Sequence, residues 1–175
     1  MKSLWISELR GPESFVCLQP QYSLVERNIE REILPICREE YLGVIPWSPL
    51  GGGFLSGKYR RGERPPQGSR IAEAVESMEE YWDRRATERN WATLEIVGEI
   101  SGETGKTYAQ ISLNWLLHQA AVTAPIIGAR TMEQLEDNLG AAGWELSEEQ
   151  VGRLSEVSAI EEVYPYRFIR EMQRV

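Results

Sequence analysis

A chain of 175 residues, 42% hydrophobic and 26% charged, holds enough apolar material for one sizeable core and too little for two domains. Nineteen Lys and Arg against 27 Asp and Glu leave a formal charge of -8, which lacks the basic face of a nucleic-acid binder. Two cysteines, Cys17 and Cys37, are too few for a disulfide framework and point to a reducing compartment, the cytoplasm.

The segment Met1 to Glu8 becomes charged before an apolar stretch develops, so no secretory signal is expected. A short helix is predicted from Met1 to Arg10, with Leu4, Trp5 and Leu9 on one side and Gly11-Pro12 as its stop. Phe15-Val16-Cys17-Leu18 is a short apolar run of strand type that closes on Gln19-Pro20. A helical segment follows from about Asn28 to Leu42, which Pro35 should either kink or mark at its true first turn. Gly43 ends it, and Val44-Ile45-Pro46-Trp47 is the next strand.

Ser48 to Gly57 is a loop with four glycines. The segment 58–89 then carries eight basic and seven acidic residues around Pro65-Pro66, as a lid, a binding loop or a disordered stretch would. Trp91, Leu94, Val97 and Ile100 recur at helical spacing. Thr107 to His118 is apolar nearly all round and predicts a buried helix. The uncharged span 107–129 has the length of a membrane helix, but Gln110, Asn114, Gln119 and Pro125 interrupt it, so no membrane span is expected. Pro125-Ile126-Ile127 reads as a third strand. Thr131-x-x-Gln134 and Ser147-x-x-Gln150 have the form of capping boxes, opening helices to about Leu139 and Val157. Short apolar strands alternating with helices place the chain in the α/β class, with parallel pairing through right-handed crossovers.

Ligands of parallel α/β folds bind beyond the carboxyl ends of the strands. Three stretches end there. Gln19 offers an amide to a ligand, or else to the local backbone of a turn. In Trp47-Ser48-Pro49-Leu50-Gly51-Gly52-Gly53, backbone amides can cradle a phosphate and the indole can stack on a flat ring, although a glycine-rich turn is equally a plain turn. Gly128-Ala129-Arg130-Thr131 joins an arginine to a helix N-terminus, an arrangement suited to phosphate or merely to an ordinary cap. His118 reads as a packed core residue, and with two separated cysteines no metal site is expected. Lys58 and Tyr59 are adjacent on a loop, which argues against acid–base teamwork. Val163 to Phe168, within a tail at 159–175, reads as aromatic packing on the core.

These motifs carry a resemblance. Leu18-Gln19-Pro20-Gln21-Tyr22-Ser23-Leu24, Val44 to Gly51, Gly57-Lys58-Tyr59 and Pro125 to Thr131 resemble the aldo-keto reductases, in the bacterial branch related to potassium-channel beta subunits. The match covers nearly the whole chain in the right order. It implies a (β/α)8 barrel that binds NADP, as NADPH, in extended form without a Rossmann domain. It also implies hydride transfer to or from aldehydes, ketones and alcohols. By position, Gln19 would bond the nicotinamide carboxamide and Trp47 would stack on that ring. Ser48, Leu50, Gly51, Gly52 and Gly53 would follow the pyrophosphate. Gly128, Ala129 and Arg130 would meet the adenosine ribose and its 2′-phosphate, with Gln134 and Asn138 near that phosphate and the adenine. Arg130 is the residue that favours NADP over NAD.

Such a barrel takes about 250 residues. By its motifs the chain is expected to be one partial domain over 1–175, the last three strands with their helices. The family's catalytic Asp, Tyr, Lys and His belong to earlier strands and have no counterpart here, so no catalytic residue is assigned. Two copies bring six strands and would not restore eight, whereas a complementary N-terminal half would complete barrel and site. The other readings are a non-catalytic NADP-binding or regulatory subunit, and an inert product of a truncated gene.

Overall fold

The computed structural model describes residues 2–11, 13–78 and 81–173. Met1, Pro12 and the last two residues of the tail, which the expectations above include, lie outside them. The elements in order are α1 (Lys2–Arg10), β1 (Cys17–Leu18), α2 (Ile33–Glu39), β2 (Gly43–Val44), α3 (Trp82–Arg85), α4 (Glu88–Thr104), α5 (Tyr108–Leu117), α6 (Met132–Leu139), α7 (Glu148–Val157) and α8 (Tyr166–Gln173). Short 3-10 turns occupy Asn28–Glu30 and Gly51–Ser56.

The strands are parallel, as the alternation of elements predicts. β1 pairs with β2 in the register Cys17 to Gly43 and Leu18 to Val44. Isolated parallel bridges extend this at Gln21–Trp47 and, on the other edge of β2, at Val44–Val122. The third strand expected at Pro125-Ile126-Ile127 does not form as a regular strand. The Thr123 N–H bonds the Val44 carbonyl at 2.8 Å and the Ile126 N–H bonds that of Pro46 at 2.8 Å. Pro46 and Pro125 supply no N–H of their own, so the ladder between these contacts is broken.

The core is helical. α5 carries Ile111, Leu113, Trp115 and Leu116, all buried, against Trp91, Leu94, Val97 and Ile100 of α4 and Leu154 of α7. Its start is fixed by a full capping box, Thr107 with Gln110, and α7 has the predicted one, Ser147 with Gln150. Asn114, buried inside α5, is satisfied by donating to the Ala141 and Trp144 carbonyls and accepting from Leu146 N–H. The helix expected at 28–42 is split. The first turn is 3-10, and Pro35 sits in the opening turn of α2, where its missing N–H is of no consequence.

A polar knot ties β1's continuation to α7. The Arg27 guanidinium grips Glu30 at 2.7 and 3.0 Å and donates to the Ser155 carbonyl and the Ser158 hydroxyl. The Tyr22 hydroxyl donates to Glu30 at 2.6 Å, and the Arg27 guanidinium lies over the Trp115 ring. Burial and the Glu30 carboxylate together push the Tyr22 phenol far above its ordinary value.

Two expectations about packing are corrected, those for His118 and the tail, and α1 shows a feature the sequence left open. α1 forms, but its apolar side stays uncovered, with Trp5 and Leu9 61% and 82% exposed and Ser7 the buried residue. His118 is exposed at the end of α5, its Nδ1 2.9 Å from the Asn114 carbonyl, because the helix's C-terminal carbonyls attract a ring donor. The tail does not pack on the core. Tyr164, Phe168 and Met172 are exposed, and the tail is held by Tyr166 donating to Glu32 and by Arg31 bonding the Glu161 carbonyl.

Candidate functional site

Beyond the carboxyl end of β2 the chain enters its tightest turn. Ser48 takes φ of 52°, and Gly52 and Gly53 take 70° and 94°. A Cβ on Gly53 would stand 2.9 Å from the Nζ at the movable end of Lys58, so the backbone, at φ of 94°, is what requires glycine. The amides of this turn do not face outward as the cradle reading expects. Gly51 N–H bonds the Ser48 carbonyl, Gly53 N–H bonds that of Leu50, and Gly52 N–H bonds the Ser48 hydroxyl at 3.2 Å. The turn satisfies itself.

What faces outward is a cleft of about 650 Å³. One wall is the turn, through Ser48, Leu50, Gly52 and Gly53. The opposite wall comes from Gly128, Ala129 and Arg130 and from the first turns of α6, through Gln134 and Asn138. Nine of the twelve predicted positions therefore share one cavity. The other three do not line it. Gln19 is exposed at the end of β1, Trp47 is half-buried beside Gln21, and Gly51 is buried with Val25 against it.

The polar groups of the second wall are positioned by each other. Thr131 caps α6 by accepting from Gln134 N–H. The reciprocal half of the expected capping box is not made, because the Gln134 side-chain oxygen Oε1 instead accepts from Arg130 N–H at 2.9 Å. That bond holds the backbone of Arg130 at the mouth of the helix, where the dipole favours an anion. The Arg130 guanidinium reaches the Gly68 carbonyl at 3.4 Å, across the cleft. Asp137, the acidic residue of this lining, accepts from the Thr107 hydroxyl at 2.8 Å.

Sequence reasoning missed the third wall. Lys58 and the tip Gln67-Gly68-Ser69-Arg70 of the charged segment complete the lining. The adjacency of Lys58 and Tyr59 is a contact between side chains, with the Lys58 Nζ over the Tyr59 ring, 5.1 Å from its centroid. Lys58 stays exposed on the cleft, while Tyr59 is buried and its hydroxyl has no hydrogen-bond partner among the described residues. The usable signal was Gly57 in the left-handed conformation just before Lys58, which turns the chain back over the glycines. The segment itself is anchored by rings. Phe54 of the turn, Tyr59, Trp82 of α3 and Trp91 of α4 lie 4.9–6.4 Å apart, centroid to centroid. Among the described residues that line it, the cleft carries the side chains of Lys58, Arg70 and Arg130 together with the Asp137 carboxylate. Among the described residues no group of three or more His, Cys, Asp or Glu gathers as a metal site, and no helix is long and apolar enough to cross a membrane.

The profile of the Aldo/keto reductase family matches residues 4–159. The chain is 36% identical over 151 residues to an uncharacterized oxidoreductase, YrpG, of Bacillus subtilis, across 86% of this chain and 43% of that protein. It is 32% identical over 166 residues to norsolorinic acid reductase stcV of Emericella nidulans, across 94% and 39%. It is 35% identical over 124 residues to L-glyceraldehyde 3-phosphate reductase of Escherichia coli, across 70% and 35%. The chain spans about two-fifths of the length of the curated relatives it matches. These relatives come from bacteria, fungi and a plant, so they do not single out a bacterial branch.

Proposed function

Since the chain belongs to the Aldo/keto reductase family, we propose that it supplies the nucleotide-holding part of an NADP-dependent oxidoreductase acting on an aldehyde, ketone or alcohol. The observation that carries this reading is the single cleft in which the glycine turn, Lys58, Arg70 and Arg130 converge. Lys58 and Arg130, two cations in one cavity, suit a ligand bearing several phosphates.

The residues present fit that group on the structure's own terms. The cleft is large enough for much of a dinucleotide. Its glycine wall is one that a Cβ at Gly53 would close. Among the described residues the Arg130 guanidinium meets the Gly68 carbonyl at a long 3.4 Å, a bond weak enough to yield its fork to a 2′-phosphate. Lys58 serves the pyrophosphate, along the wall formed by Ser48, Leu50, Gly52 and Gly53. Gln134 and Asn138 border the adenosine end, where Asn138 is buried and its amide makes only a 3.5 Å contact to the Gly128 carbonyl. Gln19 and Trp47 are assigned to the nicotinamide end, beyond the cleft. When bound, the cofactor supplies a hydride; the chain's own residues grip phosphates and align the ring.

No residue of this chain is assigned the acid role. The Tyr59 hydroxyl is buried, and His118 sits outside the cleft. Turnover therefore draws its proton donor from a complementary N-terminal part of the barrel, and the chain by itself is a binder of NADP. Two free thiols are compatible with a cytoplasmic setting.

Titration of the chain with NADPH, followed by quenching of tryptophan fluorescence and energy transfer to the nicotinamide, tests the reading. Saturable binding is expected. Arg130→Ala should weaken NADPH by about tenfold to a hundredfold, the worth of a charged hydrogen bond, and leave NADH unchanged. An equal loss for both dinucleotides removes Arg130 from the 2′-phosphate, and no binding by folded protein overturns the assignment.

A further inference from the structure

α5 opens on Tyr108, one residue after its Thr107 cap and next to Ala109, which lines the cleft. The cap fixes where the helix begins, and so where this half-buried ring leaves the backbone. Two glycines from other segments make room for it. At Gly57, φ of 74° already favours glycine, and a Cβ there would stand 2.9 Å from both Cγ and Cδ1 of the Tyr108 ring. Gly98 lies within α4, where glycine is a poorer helix residue than alanine and space is the reason for it. A Cβ at Gly98 would run into the Tyr108 hydroxyl and stand 3.0 Å from Cζ. The ring therefore bridges α4 and the glycine turn, its base against Gly57 and its hydroxyl end against Gly98. Lys58 follows directly. Its Nζ lies back beside Gly53 and 5.1 Å from the centroid of the Tyr59 ring. It makes no ion pair among the described residues, so the direction of its flexible stem is set by the backbone that carries it.

We propose that Tyr108 is a positioning residue for the cleft: clamped between Gly98 and Gly57, it fixes the turn from which Lys58 projects and so holds the Lys58 ammonium at the glycine wall. Tyr108 does not itself line the cleft, and it acts through Lys58. The inference rests on the reading of Lys58 as a pyrophosphate contact and names what keeps that contact in place. A lysine whose backbone is loose presents its charge correctly for only part of the time, and apparent affinity falls by that fraction. The clamp raises the fraction before the ligand arrives. The two rings divide the task. Tyr59, packed against Phe54 and Trp82, supports the ammonium, and Tyr108 holds the backbone from which it leaves.

The test uses the 175-residue chain and reads Lys58 twice. Without ligand, the NMR signal of the Lys58 ε-methylene should lie upfield of that of Lys2, exposed on α1, through the ring current of Tyr59. Tyr108→Ala should return the signal to the Lys2 position and weaken NADPH about threefold to tenfold. Tyr108→Phe keeps the ring against Gly57 and should match the wild type in both readings. Gly98→Ala, a change that helix propensity favours, should displace the ring through its hydroxyl and act like Tyr108→Ala, which keeps the test open where loss of the ring costs the fold. In a Lys58→Met background, Tyr108→Ala should weaken NADPH no further, since a positioning effect needs the ammonium. A Lys58 signal unmoved in both Tyr108→Ala and Gly98→Ala overturns the proposal. So does an equal loss of NADPH from Tyr108→Ala with and without Lys58, the result of a merely structural role. A moved signal, with NADPH held as tightly by Lys58→Met as by the wild type, supports the clamp and removes Lys58 from the pyrophosphate.

Discussion

Two buried titratable groups set how the fold answers to alkali. Burial pushes the Cys37 thiol above its ordinary value of 9.0, and burial with the Glu30 carboxylate pushes the Tyr22 phenol above 10.0. Both are held protonated in the native state, so their contribution is complete below those ordinary values and is lost as pH rises through the native ones. Urea midpoints should therefore be flat up to about pH 9 and fall above it. Cys37→Ala should remove the early part of the fall and Tyr22→Phe the later part. A midpoint that rises with alkali would contradict the assigned burial. At this scale the sequence was partly legible. Arg130, Gln134 and Asn138 could be placed because a helix start confers a spatial role on short spacings. Lys58 could not, since its place on the cleft depends on the conformation of Gly57.

Helix starts were the most legible elements, because a cap is a local hydrogen bond written within four residues. Thr107→Ala and Ser147→Ala should each cost about 1 kcal/mol by urea denaturation, and Thr107 the more, since its hydroxyl also donates to Asp137. Gly53→Ala should cost about 1 kcal/mol or more, from φ of 94°, and should weaken NADPH as the new methyl displaces Lys58. Binding unchanged in Gly53→Ala would separate the turn from the ligand. Strands were less legible. An apolar run marks where a strand can form, but Pro125 and Pro46 decide through absent N–H groups how much of the ladder closes. The exposed apolar side of α1 was illegible for a related reason: periodicity records which side is to be covered, not by what.

For the whole molecule, order is concentrated in one region. α4, α5 and α7 enclose the buried side chains, while α1, β1 and α8 hold mostly exposed ones. Amide exchange of the chain alone should be slowest in 91–101 and 109–117, and fastest in 2–19 and 160–173. Uniform protection across these regions would contradict the packing described. The same gradient explains why fold class could be read from the order of elements while closure of the sheet could not. Class follows from local alternation, and the extent of the sheet depends on pairing between segments far apart in sequence.

The ring contact between Tyr59 and Trp82, 5.7 Å between centroids, makes residues 60–81 a closed loop of chain rather than a free arm. The entropy of closing such a loop grows only with the logarithm of its length, so each doubling adds about 0.6 kcal/mol. Insertions between Arg60 and Pro66 can therefore accumulate at little expense while the two ends stay pinned. Among descendants of such a sequence, the tip that lines the cleft can drift in length and chemistry without loosening the aromatic clasp that holds it.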